Sequence, residues 1–178
     1  MLWQPALPDF FFGTLNLSYK ELTVAMTFCK GIGYAIATPF WTRCMGKLDI
    51  FAFTGIVTLI MTFFSIGLML AQWHIFYLYA AYLSYGMWQA GSDMSWNLSG
   101  PLFAKYEDSS TYSGLNVMTV GLRGCIGPPL GSFLCVEAGP NTVLFLGSGM
   151  CLLATWHMFA SRKKEQRLHL HLSVNSSD

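Results

Sequence analysis

Charge is what this chain has least of. Its 178 residues carry ten basic and nine acidic side chains, 11% of the total, against roughly 25% in an average soluble domain. That composition argues against a soluble monomer. The net charge of +1 offers no field to attract nucleic acid, so nucleic-acid binding is not expected. Paired cysteines are missing too. Five thiols are an odd number with no CxxC spacing, and Cys29, Cys125, Cys135 and Cys151 fall in apolar segments, where a thiol packs as a small hydrophobe. Only Cys44 lies in a polar turn. HExxH, GxSxG and the Walker-type phosphate loop are all absent, so neither an enzyme nor a cofactor is expected. The first residues, MLWQPALPDFFF, lack a basic leader and contain two prolines and an acid, so a cleaved signal peptide is not expected.

What the chain does have is apolar length. Residues 50–71, 73–92 and 141–159 hold no Asp, Glu, Lys or Arg, and residues 22–41 and 113–135 are each interrupted by one cation, Lys30 and Arg123. A bilayer crossing needs about 20 such residues as a helix, because only there are all backbone polar groups satisfied internally. The fold class read from this is all-α: a polytopic transmembrane bundle of five helices over 22–160, followed by a basic tail at 161–178. Residues 1–21 are either part of a further helix or an interfacial segment. The apolar part, 2–15, covers about 21 Å at about 1.5 Å per residue, less than a hydrocarbon core of about 30 Å.

Loop charges orient the chain. Alternate loops share a side, which places Arg43, Lys47, Lys105, Arg162, Lys163, Lys164 and Arg167 together, with only Lys20 opposite. Basic residues accumulate in the cytoplasm. The expectation is a multi-pass protein of the plasma (inner) membrane, with the Arg43 loop, the Lys105 loop and the C-terminus cytoplasmic.

Lys30 and Arg123 fall near mid-depth, where a cation costs about 2.5 to 3.5 kcal/mol on insertion scales and must face protein or water with a partner. Asp93 is the candidate partner. Gln89, Ser92, Asp93 and Ser95 recur at helical steps that collect polar groups on one face, as a cavity wall would. Two readings stand side by side: a solute site of Lys30, Gln89, Asp93 and Arg123, or interhelical ion pairs that fix packing. Gly121, Gly124, Gly127 and Gly131 form a small-residue stripe against which another helix could pack, and Pro128 and Pro129 are expected to bend that helix. Trp73, Phe76, Tyr77, Tyr79, Tyr82, Tyr85 and Trp88 read partly as an interfacial belt and partly as core. His169 and His171 would share a side of an extended strand, an arrangement better explained by a solvated tail than by metal. The one glycosylation-like triplet expected outside begins at Asn16.

With span order and charged positions in hand, the chain resembles the C-terminal half of a major facilitator superfamily transporter, helices eight to twelve with the end of helix seven. LSYKELTVA is similar to the outer start of helix eight. PFWTRCMGK, residues 39–47, resembles the basic cytoplasmic turn after it, and GLRGCIGPPLG, residues 121–131, is similar to the Gly-Pro-rich helix eleven. In that fold helices nine and twelve are peripheral, and here 50–71 and 141–159 are the charge-free counterparts; Lys30, Asp93 and Arg123 fall in the counterparts of eight, ten and eleven. The loop pattern departs from the family's GxxxDRxGRR, retaining Arg43, Gly46 and Lys47 without an acid before Arg43. The resemblance covers residues 2–160. It implies secondary transport of a small solute by alternating access at the interface of two six-helix repeats, with a separate chain supplying the N-terminal helices. The alternative is a truncated remnant or a membrane packing subunit without transport of its own.

Overall fold

The computed structural model describes residues 3–45, 47–104 and 109–175, with side chains for 3–45, 47–97, 114–115 and 117–163. Leu2, Gly46 and Lys105, which the sequence reading used, lie outside the described residues. Helix follows helix, and no strand occurs among the described residues. The order is α1 (Ala6–Pro8), a π-helical turn (Asp9–Thr14), α2 (Tyr19–Val24), a second π turn (Ala25–Cys29), α3 (Lys30–Met45), α4 (Ile50–Leu70), α5 (Ile75–Ala104), α6 (Ser109–Ala138) and α7 (Pro140–Asn175).

Local chemistry explains the joins. Asn16 takes a positive φ of 48°, a conformation that asparagine tolerates better than most residues, and turns the chain into α2. A capping box then opens that helix: the Glu21 carboxylate accepts the Ser18 N–H at 2.9 Å, while Ser18 Oγ accepts from the Lys20 N–H at 3.4 Å. The widened turn Ala25–Cys29 joins α2 to α3, and the Lys30 N–H reaches back five residues to the Ala25 carbonyl. Between α6 and α7, Gly139 adopts φ 82° and donates to the Cys135 carbonyl at 2.9 Å, and Pro140 starts the next helix where its missing N–H costs nothing.

Two helices, Ile50–Leu70 and Pro140–Lys163, are long and apolar enough to cross a membrane by composition, with mean hydropathies of 2.1 and 1.6. They correspond to two of the three charge-free runs of the sequence, 50–71 and 141–159. The other long helices cover the remaining apolar segments but carry Lys30, the polar run at Gln89 to Ser95, and Arg123.

Packing is most extensive between α3 and α5, between α4 and α5, and between α4 and α7. Toward the start of α5, Phe10, Phe11, Phe64, Leu68, Leu78, Tyr82, Val143 and Leu144 form the larger buried cluster. Trp3 and the first π turn belong to it, so this N-terminal stretch is packed into the bundle rather than laid on a surface. Toward the end of α3, Ala37, Trp41, Phe53, Val57 and Ala90 form a second cluster.

The closest helix approach described lies at glycines that the sequence did not mark. Gly121 and Gly124 on α6 have open space where a side chain would stand. Instead, a Cβ on Gly33 would run into the Leu83 carbonyl, and one on Gly86 would meet the Lys30 carbonyl and, at 2.7 Å, the Tyr34 nitrogen. The small-residue seam therefore joins α3 to α5, where backbones must nearly touch. Trp41 Nε1 donates to the Met87 carbonyl at 2.9 Å along the same seam. α6 runs as one helix through Pro128 and Pro129. α7 continues helical through residue 175, so His169 and His171 lie on helical backbone rather than on an extended strand.

Candidate functional site

α4, α5, α6 and α7 line an open cavity of about 770 Å³, within the range of about 300–1,000 Å³ usual for small-molecule sites. Its polar wall comes from α5. Gln89, Ser92, Asp93 and Ser95 all line it, since steps of three and four return to one helical face. α4 faces them with Thr54 and Thr58, and the Thr54 and Ser95 hydroxyls hydrogen-bond at 3.1 Å. Arg123 reaches the cavity from α6. Trp3, Tyr85, Trp88 and Trp96 supply broad ring surfaces.

Three of the four residues singled out in the sequence thus meet at one cavity: Gln89, Asp93 and Arg123. Lys30 is not among its lining residues. It stands on the α3–α5 seam with its ammonium nitrogen 5.2 Å from the centre of the Tyr85 ring. A ring face attracts a cation through its quadrupole, which gives Lys30 a partner at mid-helix. Tyr85 is shared: one ring bears Lys30 and also lines the cavity.

The expected pairing of Asp93 with the cations is not what forms. Among the described residues the one ion pair within 4 Å is Arg162 with Asp49, at 3.1 Å, and Asp93 instead accepts a hydrogen bond from the Tyr34 hydroxyl at 3.3 Å. The cause is register. Lys30 and Tyr34 are one turn apart on α3, Tyr85, Gln89 and Asp93 one turn apart on α5, and the close approach at Gly33 and Gly86 sets phenol against carboxylate and ammonium against ring.

Gln89 adds an unmet demand. Its side-chain Oε1 is buried and has no hydrogen-bond partner. A buried acceptor left unpaired costs about 1–3 kcal/mol. The arrangement brings a carboxylate, a guanidinium and aromatic faces to one concave surface.

Sequence reasoning identified the charged and amide residues but not Tyr34, Tyr85, Trp3, Thr54 or Thr58. The signal for Tyr34 and Tyr85 was present as spacing: each lies four residues, or a multiple of four, from a polar residue already singled out.

A family model of the Major Facilitator Superfamily matches residues 2–172. Comparison with curated proteins and with solved structures gives no match. The helical bundle, its apolar helices and a match over nearly the whole chain lead to one conclusion: this integral membrane protein belongs to the major facilitator superfamily, whose members carry small solutes across membranes.

Proposed function

We propose that the chain forms the C-terminal half of a secondary transporter that moves a small solute by alternating access, with Gln89, Asp93 and Arg123 contacting the solute. The observation that carries this reading is the shared cavity: polar groups from α4, α5 and α6 converge on it, although each is separated from the others by tens of residues. Intramembrane ionisable residues are functional by default because they are expensive to insert. Lys30 acts in this reading as a positioning residue, orienting Tyr85 from behind the cavity wall. A separate chain supplies the remaining helices and seats against α6, whose Leu115, Met118, Leu122 and Ile126 are exposed. The membrane is the plasma (inner) membrane, with the Arg43 turn and the C-terminal end of α7 in the cytoplasm.

Uptake into proteoliposomes, with the chain reconstituted alone and then with the helices encoded beside it, tests the proposal. Arg123→Ala and Lys30→Ala are expected to abolish uptake while membrane insertion is retained. Normal uptake by both variants would remove the site assignment. Absence of uptake in every combination, with stable insertion, would favour a remnant or a packing subunit.

A further inference from the structure

The cavity carries opposite charges that do not neutralise each other. Asp93 and Arg123 both line it, yet no oxygen of one lies within 4 Å of a nitrogen of the other. Asp93 is held by a neutral phenol, which orients the carboxylate without cancelling its charge. Arg123 is exposed and has no acidic partner among the described residues. Tyr85 and Trp88 line the same cavity.

Each feature restricts the solute. A purely anionic molecule would meet Arg123 but bring like charge toward Asp93, and a purely cationic one would do the reverse. A neutral molecule would take water from both charges and return neither an ion pair nor a charge-assisted hydrogen bond. A solute with an acid at one end and an ammonium at the other satisfies both. The aromatic faces favour an ammonium or an apolar body.

We infer that the solute class of this cavity is a small zwitterion, an amino-carboxylate with an apolar or aromatic body, its carboxylate on Arg123 and its ammonium on Asp93. This inference rests on the carrier reading above and narrows it.

Four matched probes separate the possibilities: phenylalanine, its decarboxylated analogue phenethylamine, its deaminated analogue hydrocinnamate, and neutral phenylpropanol. Trp3, Trp88 and Trp96 line the cavity, so binding to the purified full chain can be read from indole fluorescence excited where the probes do not absorb. Phenylalanine is expected to bind about tenfold or more tightly than each of the other three, the scale of one charge-assisted contact. Arg123→Gln should bring phenylalanine down to the level of phenethylamine while leaving phenethylamine unchanged. Asp93→Asn should bring it down to hydrocinnamate. Should Asp93→Asn fail to fold, Arg123→Gln alone keeps the test decisive, because its exposed side chain can be replaced without disturbing packing.

Equal or tighter binding of any single-charge or neutral probe overturns the zwitterion assignment. So does the lack of any saturable signal from phenylalanine. If proteoliposome uptake of some other solute still depends on Arg123, the carrier reading survives that failure and only the solute class falls. If no uptake is found either, both fall.

Discussion

Trp41 shows how a single side chain is fixed from three directions. Its ring lies 5.1 Å from the Phe53 ring, its Nε1 donates to the Met87 carbonyl, and it sits against the space that a side chain on Gly91 would need. Trp41→Phe should therefore lower stability by about 1–3 kcal/mol, read as thermal unfolding in detergent, from the lost hydrogen bond and the void left by the smaller ring. Asp93 poses a different test. Tyr34→Phe removes the described hydrogen bond to the carboxylate while keeping the ring, so solute affinity should change with little loss of stability; hydrogen bonds to charged groups contribute about 1.5–3 kcal/mol, enough for tenfold or more. Affinity equal to wild type would mean that the Tyr34 contact does not orient Asp93. The charged residues were legible in the sequence because a lone charge inside an apolar run stands out. Their partners were not, because phenol and ring faces look like ordinary apolar lining until two helices are set in register.

At the scale of the helix, glycine is informative only once its neighbours are known. The spacing of Gly121, Gly124, Gly127 and Gly131 marks α6 as able to accept a close neighbour, but at Gly121 and Gly124 none is present within this chain. Gly33 and Gly86 are unremarkable within their own segments, yet they are where α3 and α5 touch. Gly86→Ala should cost about 1–3 kcal/mol as an overpacked site and disturb Lys30 and Tyr34, whose backbone atoms occupy the space. Gly124→Ala should stay within about 0.5 kcal/mol of wild type, since the added carbon meets nothing. Comparison of the two melting temperatures checks the seam; equal effects would contradict it. The helix positions themselves were readable because apolar runs end where charges, Asn16 and the Gly139–Pro140 pair interrupt them. Pairing between α3 and α5 was not, since it joins residues about fifty positions apart and leaves no trace in local periodicity.

For the molecule as a whole, the two most apolar helices and the two that bring charge to the cavity meet around one cavity. α4 and α7 are the helices apolar enough to cross a membrane on composition, while α5 and α6 bring Gln89, Asp93 and Arg123 to the cavity. α4 and α7 are also tied by Arg162 and Asp49, with side chains 37% and 57% exposed. A double-mutant cycle on that pair should return only about 0.2–1 kcal/mol, as solvent screens exposed charges. Orientation is open to labelling: an impermeant maleimide should reach Cys44, in the last turn of α3, from the cytoplasmic side and not from outside.

The cavity is the centre of the whole reading, and its contact with water can be measured directly. With the native cysteines replaced, Ser92→Cys on the cavity wall and Phe145→Cys on the outer face of α7 can each be exposed to a water-soluble maleimide in intact membranes. The expected result is rapid modification at position 92, slowed by a bound solute, and little at position 145, where the side chain faces lipid. Modification at 145 with none at 92 would contradict it, making the polar residues of α5 a packing device and the cavity no part of a transport route.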